Sequence, residues 1–217
     1  MLENVAEFLT ALTYHNDRDW FMAHKSEYME AKAEFDSFVE RLILAVASFD
    51  PTVGLPEAKD CCYRIYRDVR FSWDKSPYKT WMGAYICRGG RKSGYAGYYF
   101  HFQPVSEGLL LDGSMLAAGL YRPSSAMLGK IRRGIYSHGR AFHTAVMRAD
   151  GFSLDPDRRL QRVPPGFPKD FRYSEYLKCR DYCLQKYFSA GSVSFDGITS
   201  AFASTCGFVK MLNSFLE

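Results

Sequence analysis

The sequence has no apolar run approaching the length, about eighteen residues, that a membrane span needs. Its opening MLENVAEF is acidic, without the basic flank and apolar stretch of a secretory leader. The expectation is a cytoplasmic protein with no membrane partner. The chain has 6 cysteines but no CxxC pair: Cys61 and Cys62 are adjacent, and Cys87, Cys179, Cys183 and Cys206 are scattered. That spacing makes no disulfide framework and reads as reduced thiols, several of them buried as small apolar residues. Histidine is equally sparse. His138 and His143 are five apart, which does not stack two ligands on one helical face, and His101 is alone in an aromatic segment. His24 shares a helical face with Trp20 and Phe21 and reads as structural. Neither a metal nor a cofactor is expected. The glycine-rich GGRKSGYAG at residues 89–97 has neither the phosphate-loop order nor the dinucleotide fingerprint, so it reads as a hairpin loop, with Arg91 or Lys92 as a minor anion contact. A nucleophile–base pair, an internal repeat and a low-complexity tract are all missing too, so no reaction can be named.

What is present is apolar bulk and unevenly placed charge. A chain of 217 residues, 47% hydrophobic, can bury one sizeable core, and a single domain over residues 1–217 is expected. The net charge of +4 hides an asymmetry. Residues 1–62 carry 5 basic and 12 acidic side chains, residues 63–92 carry 8 and 2, and residues 130–180 carry 12 and 5. Such blocks serve recognition of an anion or let two parts of one fold pair with each other.

Apolar spacing predicts a short helix through Val5, Phe8, Leu9 and Leu12. A long helix should follow from near Arg18 to Asp50-Pro51, broken in its middle. Tyr63, Ile65, Val69 and Phe71 alternate with charged residues as in a distorted strand. SGYAGYYFHFQP and LLLDGSMLAAGLY read as two central aromatic strands joined at VSEG, residues 105–108. Helices are expected after Pro123, over 140–147, over 174–188 and from Asp196 as N-cap to 215, with the proline-rich RVPPGFPKDF as a stiff loop. Helices, then strands, then helices predict an α+β fold: a mainly antiparallel sheet with helices packed on it.

The densest chemistry is YRIYRDVRFSWDKSPYKTWMG, residues 63–83, where three arginines and two lysines alternate with six aromatic rings. Arginine offers a planar fork to carboxylate or phosphate, and Arg64, Arg67, Arg70, Lys75 and Lys79 could surround a small anionic ligand, with Tyr78 and Tyr121 on the wall of the cleft. In a straight strand Arg64 and Arg70 share a face and Arg67 takes the other, so at least one arginine serves another purpose. Pairing with Asp68, Asp74 and the acidic first helices would instead make the motif a salt-bridge scaffold in an interaction module. A third reading is nucleic-acid binding, with rings stacking on bases. Within DKSPYK, Asp74, Ser76 and Pro77 are turn formers that should expose Lys75, Tyr78 and Lys79.

HNDRDWFMAHKSEYMEAKAEFDSFVERLI, RIYRDVRFSWDKSPYKT, GYYFHFQP, AAGLYRP with LGKIRRGI, and PPGFPKDF with SEYLK follow one another here. In these words and their order the chain resembles, over nearly its whole length, a bacterial and fungal family known as domain of unknown function 2461. His15 and Trp73 stand where that resemblance would place asparagine and lysine. The resemblance implies a whole-length member and no particular activity.

Overall fold

The computed structural model describes residues 2–104, 113–188 and 194–217. The chain opens with α1 (Glu3–Tyr14), α2 (Arg18–Ala23) and α3 (Lys25–Phe49), followed by a 3-10 turn and the short α4 (Ala58–Cys61). α1 buries Val5, Phe8, Leu9 and Leu12, the four positions its spacing marked, and packs along α3. The Glu34 carboxylate on α3 accepts from the first-turn backbone N–H groups of Glu3 and Val5 at 3.1 and 3.0 Å, placing negative charge at the positive end of α1. Asp17 caps α2 by accepting from the Trp20 N–H at 2.8 Å. The long helix expected from Arg18 is broken at His24, whose φ of −104° and ψ of 28° separate α2 from α3.

The sheet follows: β1 (Met82–Ile86), β2 (Gly97–Phe102) and β3 (Met115–Leu120), then α5 (Ser125–Met147), β4 (Ser153–Leu154), α6 (Ser174–Leu177), β5 (Tyr182–Tyr187) and α7 (Phe195–Leu216). The strands lie in the order β1-β2-β3-β5-β4 with every pairing antiparallel, so the fold is α+β. β2 is an interior strand, and its alternation divides the sheet into two faces. Tyr98, Phe100 and Phe102 are buried on one face. There the Tyr98 ring meets Phe49 of α3 and Phe202 of α7, and Phe100 meets Phe38. Each such ring contributes roughly 1.5–3 kcal/mol by leaving water. The Tyr98 hydroxyl donates to the fully buried Asp50 at 2.7 Å, satisfying both polar groups within that core.

Several sequence expectations are corrected. Residues 63–71 form no strand: isolated bridges join Cys62 to Ala84 and Tyr66 to Tyr78, while the edge strand is β1, further along the chain. Scattered backbone bonds, from the Tyr63 N–H to the Gly83 carbonyl, the Arg67 N–H to the Pro77 carbonyl and the Lys79 N–H to the Ile65 carbonyl, hold its first half, and side-chain bonds of the motif hold the rest. The helix expected over 174–188 stops at Leu177, and period-two burial of Tyr182 and Leu184 makes the remainder β5. The helices expected after Pro123 and over 140–147 are one element, α5, kinked at His138. α7 is capped by Ser194, which accepts from the Gly197 N–H at 3.1 Å, and Asp196 lies inside its first turn. The expected VSEG turn lies outside the described residues.

Candidate functional site

Between Ile65 and Tyr78 the chain folds back on itself, and its charges are used in doing so. The Arg67 guanidinium pairs with the Asp74 carboxylate and reaches Ser72 Oγ at 3.5 Å, while its backbone N–H donates to the Pro77 carbonyl at 2.9 Å. Asp74 also accepts from the Ser76 N–H and hydroxyl at 2.9 and 2.6 Å, an Asx turn. Arg70 forms a two-pronged bond to Asp68, at 2.9 Å from Nε and 2.6 Å from Nη2. Lys75 Nζ donates to the Val69 carbonyl at 3.1 Å. These bonds hold both carboxyls low: the Arg70 side chain brings Asp68 to about 2, and Ser76 followed by Arg67 holds Asp74 well below the usual carboxylate range.

Tyr78 is a core residue in this structure. It is 5% exposed, stacks on Phe21 at 4.0 Å and 13°, and has its backbone held on both sides by the Asn16 side chain at 3.0 and 3.1 Å. Tyr121 is exposed beyond the end of β3, with the Arg122 and Arg158 guanidiniums 5.1 and 5.6 Å from its ring. Among the described contacts none joins Tyr121 to the motif. It belongs to a second cluster, in which the buried Asp181 accepts from the Arg122 N–H at 2.6 Å and pairs with Arg158.

Arg64 and Lys79 behave differently from the loop between them. Lys79 Nζ donates to the Arg64 carbonyl and stands 4.9 Å from the Trp81 ring and 5.9 Å from that of Tyr63. Arg91, from the loop after β1, lies 5.7 Å from the same Tyr63 ring and donates to the carbonyls of Lys59, Asp60 and Cys62 at 3.2, 3.1 and 2.6 Å. No carboxylate pairs with Arg64, Lys79 or Arg91 among the described residues. Burial lowers the Lys79 pKa, and the charges of Arg64 and Arg91 lower it further.

These cations border the second face of the sheet, where Tyr99 and His101 point away from the helices. The rings of Tyr63 and Trp81 cover that end: Tyr63 stands edge-on to Tyr99 at 5.9 Å, and Trp81 lies 4.7 Å from His101. The Tyr99 hydroxyl and His101 Nδ1 are 2.8 Å apart, and His101 Nε2 is 3.3 Å from Gln103 Oε1. Burial raises the Tyr99 pKa and lowers that of His101, so at neutral pH the phenol donates to a neutral imidazole whose remaining proton faces Gln103. Tyr99 lies across Gly83, where a Cβ would stand 2.9 Å from its hydroxyl.

This arrangement offers positive charge and aromatic surface, with no activated nucleophile in evidence. Burial lifts the thiols of Cys61, Cys62 and Cys183 to about 12, so none of these is a thiolate at neutral pH. Among the described residues no group of three His, Cys, Asp or Glu is placed to hold a metal ion, and no helix is long and apolar enough to cross a membrane. Two surface depressions, one including His138, Arg148 and Met211 and the other Ser93, Met127 and Lys130, contain no residue of the motif.

Of the residues the sequence singled out, the structure brings Arg64 and Lys79 together, keeps Arg67, Arg70 and Lys75 within their own loop, and separates Tyr78 and Tyr121 from both. It adds Tyr63, Trp81, Tyr99 and His101, and brings in Arg91, which the glycine-rich loop had offered as a minor anion contact. Alternation along GYYFHFQP was the available signal for Tyr99 and His101, because they occupy the register opposite Tyr98 and Phe100.

A helix-backed antiparallel sheet with a basic, aromatic edge defines an α+β protein whose recognisable feature is its arginine motif. The chain belongs to the family described as conserved hypothetical protein (DUF2461), whose model matches residues 4–215. No curated protein and no solved structure matches it.

Proposed function

We propose that the protein binds a small anionic ligand, bearing phosphate or carboxylate, at the rim formed by Arg64, Lys79 and Arg91 against Tyr63 and Trp81. The observation that supports this reading is the nearness of Lys79 to the charges of Arg64 and Arg91, none of the three paired with a carboxylate among the described residues. Lys79 is partly buried beside Arg64 and Arg91, and like charges held together out of water cost free energy that an anion would recover. The guanidiniums of Arg64 and Arg91 can present forks to an oxyanion, and the flanking rings exclude water from one side of it. Tyr99 and His101 lie beside Tyr63 and Trp81, bonded to each other and to Gln103, and form a neutral polar floor for the rest of the same ligand. The reading is one of binding; no chemical step on the ligand is derived.

Thermal melts with inorganic phosphate and with nucleotides test it. Wild type and Arg70→Ala should gain stability with rising anion concentration, while Lys79→Ala and Arg64→Ala should lose most of that gain. An equal gain in all four proteins would place the anion elsewhere, and no gain in wild type with any anion would end the proposal.

The pairing of Arg67 with Asp74 and of Arg70 with Asp68 favours a second role for the loop itself, as the salt-bridged scaffold of an interaction module. It also weighs against a nucleic-acid reading, since two of the arginines on which that reading rested already have partners.

A further inference from the structure

The scaffold presents something. At the tip of the loop Phe71 is 97% and Trp73 102% exposed, the two most exposed large apolar side chains among the described residues. The Phe71 ring has the Arg70 guanidinium 5.9 Å away, and Trp73 meets no other ring or cation among the described residues. Beneath them the charged side chains are occupied. Arg67 and Asp74, Arg70 and Asp68, Ser76 and Asp74, Lys75 and the Val69 carbonyl, and the Ser72 N–H and the same carbonyl at 3.3 Å all bond within the loop. A loop that pairs its own charged side chains and turns two large rings outward lowers the cost of bringing those rings out of water.

We infer that the Phe71–Trp73 tip docks into the interfacial layer of a lipid bilayer carrying anionic headgroups. Tryptophan favours the headgroup boundary, where an apolar ring and a polar N–H are both accommodated. The loop from Arg67 to Lys75 carries 3 basic side chains against 2 acidic ones, and both acids, Asp68 and Asp74, are paired with its arginines, which leaves the charge of Lys75 in surplus. The field around the tip is therefore positive and draws it toward an anionic leaflet. A nucleic-acid strand is the weaker fit, because stacking platforms work with free cations beside the rings, and the arginines flanking Phe71 and Trp73 are already held by carboxylates. Peripheral docking is a different matter from spanning, which the helices do not support. The inference uses none of the residues of the proposed anion rim.

The test is sedimentation with vesicles of phosphatidylcholine alone and of phosphatidylcholine mixed with phosphatidylserine, read together with tryptophan emission. Wild type is expected to sediment with the mixed vesicles and less with the neutral ones, its emission shifting to the blue. Phe71→Ala with Trp73→Ala should melt like wild type, because both rings are outside the core, and should bind the mixed vesicles about a hundredfold more weakly or worse, the scale set by two lost aromatic burials. Failure to sediment with either vesicle would overturn the inference, as would a double variant that binds like wild type. Quenching of Trp73 by a single-stranded oligonucleotide without vesicle binding would reassign the tip to nucleic acid. A concentration-dependent dimer abolished by the double variant, again without vesicle binding, would reassign it to a second copy of the chain.

Discussion

Arg67 and Arg70 each pair with a carboxylate within their own loop, whereas Arg64 before them and Lys79 after them pair with none among the described residues. The two groups belong to one run of sequence and contribute alike to its charge, yet they do different work. Asp68, two residues before Arg70, and Asp74, closing a turn through Ser76, capture the inner pair and fix the shape of the loop. The outer pair is drawn together by a backbone carbonyl and two rings, with Arg91 arriving from another loop. The difference shows that an excess of arginine does not by itself mark a ligand site. What decides is whether a carboxylate lies within reach of each guanidinium once the chain has turned.

The largest effect that would sharpen this comparison belongs to neither group. Tyr78→Ala, which removes the ring stacked on Phe21, should cost about 3–5 kcal/mol in chemical denaturation, the scale of a large-to-small core substitution. A loss no greater than that of a surface residue would return Tyr78 to the site. Gly83→Ala is expected to cost about 1–3 kcal/mol, since the new methyl would meet the Tyr99 hydroxyl at 2.9 Å and the Phe100 carbonyl at 3.2 Å. Unchanged melting would mean that Tyr99 does not lie across Gly83.

A pH effect of moderate size comes from His101. Its folded pKa is lowered by burial, so on acidification the unfolded chain takes up a proton near the usual 6.5 before the folded one does. Stability should fall as pH drops through that region, with no contribution from this group above it, and His101→Gln should flatten the slope between pH 7 and 5. A slope identical in the variant would show the imidazole titrating freely. The smallest effect is expected from Arg70→Ala: the pair with Asp68 is exposed, 76% and 48% for the two side chains, and the melting temperature should stay within error. A clear drop would mean that the exposed half of the scaffold supports the core.

The helix order, the interior aromatic strand and the antiparallel sheet were legible because they rest on apolar periodicity, as in α1 and along Tyr98, Phe100 and Phe102. Errors arose where local pattern and long-range pairing disagree. Tyr63 to Phe71 alternates like a strand, but only Tyr63, Ile65 and Arg67 make isolated backbone bonds to a neighbouring segment, at Gly83, Lys79 and Pro77, and beyond them the bonds of Arg67 to Asp74 and of Arg70 to Asp68 close a loop. Residues 182–187 could continue a helix by composition, and only their pairing with β3 makes them a strand. The candidate site was half legible. Arg64 and Lys79 were named from charge and Arg91 only as a minor anion contact, while the meeting of Arg91 with Lys79 and the place of His101 depend on how segments separated in sequence come together over the sheet.

The central claim is that the unpaired outer cations, rather than the loop arginines, hold an anion. Titrating phosphate into wild type, Lys79→Ala and Arg70→Ala by calorimetry tests it most directly. The account predicts similar binding by wild type and Arg70→Ala and at least about tenfold weaker binding by Lys79→Ala, the scale of one lost charged hydrogen bond. Loss of binding in Arg70→Ala with Lys79→Ala unaffected would contradict it.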